Sequence, residues 1–177
     1  MIQERNALSG LELPVDLSTR AGVVTLRVAG TDDLDALMAL LSDDPISAAR
    51  GDTGLEQNRP AYARALERIA ADPANAQLVA VSRDRIVGTM QLTVIPGLAR
   101  AGADRLQVET VRVASDCRSS GIGAAMMRWV ADVAAPALGA TLIQLTSDAA
   151  RVDAHRFYER LGYASSHVGF KLRVPSA

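Results

Sequence analysis

The sequence predicts an α/β layered fold, and three observations carry that reading. Short β-branched runs are separated by turn residues. A strongly helix-periodic stretch, residues 122–133, lies between two apolar runs. Strands and helices alternate along the chain rather than segregating. At 177 residues the chain suits one domain, and the 49% apolar fraction is enough for a sizeable core.

The elements follow in order. Residues 1–20 show no clear period and are expected to be an N-terminal extension to a single domain over 21–177. Residues 23–28 (VVTLRV) form the first expected strand. Thr31, Asp32 and Asp33 supply an N-cap for a helix in which Leu34, Leu37, Met38 and Leu41 share a face. Residues 43–58 read as a polar loop, and Pro60 opens a second helix that runs to about Ala71. Residues 78–81 and 86–94 make a hairpin about Arg83, Asp84 and Arg85, and residues 106–113 add a third strand. Ile122, Ala125, Met126, Trp129, Val130 and Val133 then mark one helical stripe. A buried-type strand over 142–145 is expected parallel to the strand before that helix, through a right-handed crossover. Ala154, Phe157, Tyr158 and Leu161 form a short last helix stopped by Gly162, and two brief strands are expected near 163–167 and 170–174.

Composition excludes several functions. Net charge is −1 with both signs dispersed, and there are six aromatic residues, so neither nucleic acid nor an anionic membrane is an expected partner. The single cysteine, Cys117, cannot form an intrachain disulfide, which fits a cytoplasmic location. His155 and His167 have no partners at metal-site spacing, so no metal is expected. Asp43, Asp44, Asp52 and Glu56 make an acidic loop, either solvated or attractive to a cationic amine.

The chemistry concentrates in residues 118–124. Arg118, Ser119, Ser120, Gly121, Ile122, Gly123 and Ala124 join a buried strand to the strongest helix. Small residues expose the backbone, and the first helical amides and the helix dipole favour an anion. Arg118 adds a donor suited to phosphate. An ordinary tight turn has the same Gly-x-Gly spacing. A P-loop needs a Lys that is absent, and a dinucleotide fingerprint needs Gly where Met126 stands.

Residues 118–123 resemble the Arg/Gln-x-x-Gly-x-Gly/Ala signature of the GCN5-related N-acetyltransferases (GNAT). Residues 154–163 (AHRFYERLGY) resemble that family's second landmark, and both occur in the right order over roughly residues 23–174. Residues 146–158 look like small-molecule members, including aminoalkylphosphonate acetyltransferases. The resemblance implies a GNAT acyl-CoA N-acyltransferase fold: a mixed, mostly antiparallel sheet, splayed at the cofactor site and flanked by helices. It implies acetyl-CoA as cosubstrate, with the pyrophosphate on residues 118–124 and the pantetheine arm along the backbone of Val111, Arg112 and Val113. Two positions depart from the family pattern: Ser119 stands where Gly is frequent, and Arg151 where Asn is frequent.

Acetyl transfer needs a base for the amine, a polarised carbonyl and a proton for the leaving thiolate. Tyr158 is the candidate acid, since a phenol is protonated at neutral pH, although its spacing also suits a helix core. Glu109, a carboxylate in an otherwise apolar strand, is the candidate base; a solvent-facing strand residue is the plain alternative. Arg112 carries no expected chemistry beyond its backbone, and the amide of Val111 or Val113 is the expected polariser. Cys117 reads as a small loop residue, and His155 as either a channel-lining or a surface residue. The expected activity is direct acetyl transfer to the primary amine of a small molecule. The alternatives are a non-catalytic CoA-binding sensor or interaction domain, and an acetyltransferase of protein N-termini or lysines. Homodimers through sheet edges or C-terminal strands are implied by the resemblance alone.

Overall fold

The computed structural model describes residues 8–49, 51 and 53–174. In chain order, β1 (Val15–Thr19) and β2 (Gly22–Val28) precede α1 (Leu34–Ser42), the single turn α2 (Pro45–Ala48) and α3 (Arg59–Ala71). Then come β3 (Asn75–Ser82), β4 (Arg85–Ile95), the turn α4 (Ala99–Gly102) and β5 (Arg105–Val113). The crossover runs through α5 (Ile122–Trp129), a π-helical stretch (Val130–Ala134) and α6 (Ala135–Ala137) to β6 (Leu142–Leu145), and α7 (Val152–Arg160) is last. The strands form one sheet in the order β1-β2-β3-β4-β5-β6, and the four pairings from β1 to β5 are antiparallel. The fold is the mixed α/β architecture that the sequence predicts.

By contacts the chain divides into one compact unit ending at Gln144 and a second beginning at Leu145. In the first unit, side chains alternate across the sheet and separate two layers. Val79 packs with Leu34, Leu37, Met38 and Leu66, and Val81 and Ile86 join that cluster, so α1 and α3 cover this face. Ala80 and Gly88 point the other way: a Cβ on Gly88 would lie 3.5 Å from the Ala80 Cβ and 3.2 Å from the Met126 sulfur of α5. Gly88 therefore brings the α5 face close to the strand. Leu26, Leu78, Met90, Leu92, Leu106, Met126 and Met127 are fully buried; each contributes about 1.5–3 kcal/mol from burial. Pro136 cannot donate to the carbonyl four residues back, and the helix widens into its π stretch just before it.

Several elements differ from expectation. Residues 15–19, within the stretch read as an extension, form β1, which pairs with β2 from Val15↔Leu26 to Thr19↔Gly22. Val15, Leu17 and Thr19 alternate with Asp16 and Ser18, a five-residue pattern too short to stand out in sequence, and Leu17 is buried. The strands expected near 163–167 and 170–174 do not form; residues 164–174 are exposed and carry no regular structure. The hairpin turn matches its chemistry: Arg83 and Asp84 both take positive φ (48° and 63°), as a two-residue primed turn requires. In the second unit, Gly162 (φ 91°) ends α7, with Tyr163 N–H donating to the Tyr158 carbonyl at 3.1 Å and Gly162 N–H to that of Glu159 at 2.9 Å.

Asp33 joins β2 to α1. Its carboxylate accepts two bonds from the Arg27 guanidinium (2.6 and 2.8 Å) and one from the Gly30 N–H (2.7 Å). The Arg27 hydrogen bond holds the Asp33 carboxyl below its usual range; burial opposes this and the Gly30 amide assists. A carboxyl with a depressed folded pKa stabilises above its unfolded pKa, and that contribution is lost as pH falls through the folded one. Asp33→Asn is therefore expected to cost about 2 kcal/mol at neutral pH. Its stability should also fall less steeply than wild type on acidification below about pH 4. Urea denaturation across a pH series measures both effects.

Candidate active site

The last third of β5 departs from regular pairing. Thr89 pairs with Arg112, and Gln91 with Glu109, so Thr110 and Val111 together face the single residue Met90. This is a β-bulge, in which the extra residue drops out of the ladder and the strand bends. Thr110 adopts φ 50°, a left-handed conformation costly for a β-branched residue, and its buried hydroxyl has no hydrogen-bond partner. Nothing in the sequence marks the bulge, because Thr is an ordinary strand residue.

Past the bulge, Val113 pairs with Gly88, and the Ala114 N–H donates to the Val87 carbonyl at 2.9 Å. The chain then turns through residues 115–117 into the loop before α5. Ser119 has φ 62° and Gly121 φ 94°, so the position where the family pattern favours Gly does need the left-handed region here. Gly121 caps α5 with no side-chain bond, and the first helical bond runs from the Ala125 N–H to the Gly121 carbonyl (2.9 Å). The amides of Ile122, Gly123 and Ala124 precede that bond and point out of the helix end. Uncapped amides, left-handed backbone and a helix dipole converge on residues 119–124, an arrangement suited to an anion.

Two neighbours that the sequence does not connect to this loop brace it, one of them Asp43, read there only as part of an acidic loop. Arg20, in the β1–β2 turn, donates its backbone N–H to the Ser120 carbonyl at 3.0 Å; a Cβ on Gly121 would sit 3.2 Å from that nitrogen. Asp43, at the end of α1, accepts the Ser115 N–H on its carboxylate (2.7 Å), and its carbonyl accepts a bond from the Arg118 guanidinium (2.7 Å). Arg118 also reaches the Val113 carbonyl at 3.4 Å, so this half-exposed side chain is tied to backbone at the loop. Such long-range contacts have no local sequence signal.

The other candidates sit as follows. Glu109 is exposed, immediately before the bulge. Val111, Arg112 and Val113 are half-buried, and Arg112 donates to the Val111 carbonyl at 2.9 Å. Cys117 accepts from Arg85 (3.0 Å), which also bridges Asp116 at 2.8 Å; that Arg85 contact holds the Asp116 carboxyl below its usual range. In the second unit, Tyr158 is half-buried, stacked edge-on against Phe157 and Tyr163 with ring centroids 5.0 and 5.8 Å away. Burial, with a smaller effect of Tyr158, pushes the Tyr163 phenol up to about 12. His155 Nε2 lies 2.8 Å from the Asp148 carbonyl, a contact that requires the proton on Nε2 and closes the turn before α7. Asp52 lies outside the described residues. Among the described residues no group of three or more His, Cys, Asp or Glu could hold a metal, and no helix is long and apolar enough to cross a membrane.

Residues 34–163 match the family model described as "Acetyltransferase (GNAT) family". The chain belongs to the GNAT acetyltransferase family. It is 30% identical over 148 residues to the aminoalkylphosphonate N-acetyltransferase of Salmonella typhimurium (strain LT2), covering 84% of this chain and 90% of that one. Among solved structures it is similar to a transcriptional regulator from Bacillus halodurans C-125, with TM-score 0.80 and 38% identity over 85% of this chain and 99% of that one. It is also similar to a putative acetyltransferase from Agrobacterium tumefaciens, with TM-score 0.71 and 26% identity over 84% and 99%.

Proposed function

We propose that this protein transfers the acetyl group of acetyl-CoA directly to the primary amine of a small molecule. The acceptor class we favour is an amine that carries an anionic phosphonate, as in the name of the Salmonella relative. The observation that carries the reading is the anion cradle at the start of α5: left-handed Ser119 and Gly121 followed by three amides ahead of the first helical bond. A pyrophosphate suits that donor set. Ser119, Ser120, Gly121, Ile122, Gly123 and Ala124 would hold it through backbone, and Arg118 would add charge and brace the loop. Val111, Arg112 and Val113 would line the pantetheine arm with main-chain groups.

The reaction then divides among the chain's own groups. Glu109 takes a proton from the ammonium of the acceptor, directly or through one water. The freed nitrogen forms a bond to the acetyl carbonyl carbon while the amide of Val111 or Val113 donates to the oxygen. The bulge supports this role, because it takes a residue out of the ladder and leaves backbone unpaired. The carbon–sulfur bond breaks, the nitrogen gives its second proton to solvent to leave the neutral amide, and the thiolate takes the phenolic proton of Tyr158, which solvent restores. Tyr158 and Glu109 enter on the resemblance of residues 154–163 and on Glu109's place beside the bulge.

Glu109→Gln keeps shape and removes the base. It is expected to lower kcat by about 10²- to 10⁴-fold with the acetyl-CoA dissociation constant unchanged, as read by steady-state kinetics and calorimetry. A wild-type rate would move the base to another group. A second reading, a CoA-binding sensor without turnover, draws on the name of the Bacillus relative. It predicts CoA binding with no acetylated product.

A further inference from the structure

Alternation along β5 puts the buried Leu106 and Val108 on one face of the sheet and Arg105, Gln107 and Glu109 on the other. Register carries that second face across the neighbouring strands. Glu109 pairs with Gln91 and, through it, with Gln77; Gln107 pairs with Thr93 and, through it, with Asn75. It is the face on which Val79 meets α1 and α3. The polar side chains of β3 and β4 satisfy one another there. Asn75 donates to the Asp72 carboxylate (2.8 Å), and its side-chain oxygen accepts from Gln91 (3.1 Å) and Thr93 (2.5 Å). Gln77 donates to the Thr89 hydroxyl at 2.7 Å. The three β5 residues stand outside this network. Gln107 is 8% exposed, yet its side-chain amide makes no hydrogen bond among the described residues, and neither Arg105 nor Glu109 has an ion pair among them. Arg105 has one long contact, 3.5 Å to the side-chain oxygen of Gln144. A buried amide is unfavourable until something hydrogen-bonds it.

We propose that Arg105, Gln107 and Glu109 form the acceptor subsite and select an amine that carries an anion at its far end. Arg105 binds the anion, Gln107 donates its amide to the same group, and Glu109 meets the ammonium. This rests on the acetyl-transfer reading above and adds the residues that set the acceptor's charge and length. The order along β5 is cation, neutral amide, carboxylate, which is the complement of an anion joined to an ammonium by a short chain. At about 3.4 Å per residue, the Arg105 and Glu109 Cα atoms lie about 13 Å apart. Two long side chains and a hydrogen bond of about 3 Å at either end fill most of that span and leave room for a short alkyl chain. The guanidinium fork suits a phosphonate, whose oxygens it can bind in pairs. Opposite charges at the two ends also fix orientation, because a reversed acceptor would set anion against Glu109 and ammonium against Arg105. The amine is thereby held at the bulge. Arg112 lies on the same face beyond the bulge, but its guanidinium is turned to the Val111 carbonyl at 2.9 Å.

The test uses the full chain and two probes of similar length, 2-aminoethylphosphonate and n-propylamine, which differ in the anion. Arg105→Gln is expected to raise KM for the phosphonate by about 10- to 100-fold, the usual cost of a lost charged hydrogen-bond pair. KM for propylamine and the acetyl-CoA dissociation constant should not move. Arg105→Lys, which keeps the charge and loses the fork, should recover part of the phosphonate affinity. Gln107→Leu, similar in size, should weaken the phosphonate about tenfold; Arg105→Gln carries the test if that buried variant misfolds. Calorimetric titration of 2-aminoethylphosphonate onto the CoA-loaded protein gives the same comparison without turnover. Binding that Arg105→Gln weakens, even with no acetylated product, would support this subsite while refuting the transfer reading. A wild type that binds no 2-aminoethylphosphonate, equal phosphonate affinity in wild type and Arg105→Gln, or an equal loss for propylamine would overturn the proposal.

Discussion

Gly123→Glu is expected to weaken acetyl-CoA binding about 100-fold while leaving the fold intact. Gly123 is the second residue of α5, whose first turn has no side-chain cap. A carboxylate there is stabilised by the helix dipole, and any residue other than Gly or Pro improves helix propensity. The melting temperature of the ligand-free variant should therefore hold or rise. A pyrophosphate bound to the same amides meets the opposite situation, because the new charge competes for the positive end of the helix and repels the ligand. Loss of about 3 kcal/mol corresponds to about a 100-fold weaker dissociation constant. Calorimetric titration with acetyl-CoA measures it. Equal affinity in wild type and variant would mean that the α5 amides do not hold the pyrophosphate.

Tyr158→Phe is expected to lower kcat by about 10²- to 10⁴-fold, the usual cost of a lost general acid. The change deletes one oxygen and keeps the ring, so the edge-on contacts with Phe157 and Tyr163 persist. Acetyl-CoA affinity should stay within a factor of a few. The discriminating readout is the leaving group: a more acidic thiol in an acyl-thioester analogue needs less protonation, so the variant's deficit should shrink with it. A uniform deficit across leaving groups, or unchanged turnover, would return Tyr158 to a packing role.

Legibility in the sequence followed the range of the forces involved. The α5 stripe from Ile122 to Val130 and the residue 118–124 turn are local, set by helix period and by glycines, and both were readable; Val133, read on the same stripe, is exposed because the π-helical stretch over Val130–Ala134 shifts the register. The β3–β4 hairpin was readable too, since Arg83 and Asp84 occupy the turn that two flanking apolar runs define. β1 was not, because five residues with one buried side chain become a strand only when β2 offers its edge. The strained Thr110 was invisible for a related reason: its left-handed backbone is imposed by the β4–β5 register, against its own preference. Arg20 and Asp43 brace the anion loop from distant parts of the chain, and no spacing rule joins Asp43 to Arg118 across 75 positions. The C-terminal strands expected near 163–167 and 170–174 do not form, because an apolar alternation becomes a strand only where an edge pairs with it.

Product formation distinguishes transfer from binding alone. The purified protein should be incubated with acetyl-CoA and a panel holding an aminoalkylphosphonate, an aminoglycoside and a lysine-containing peptide. Released CoA thiol and the mass of each amine should be followed together. Thiol release is expected to be matched one-to-one by an acetylated aminoalkylphosphonate, with the peptide unmodified. Tight acetyl-CoA binding without acetylation of any amine in the panel, or acetylation of the peptide alone, would contradict it.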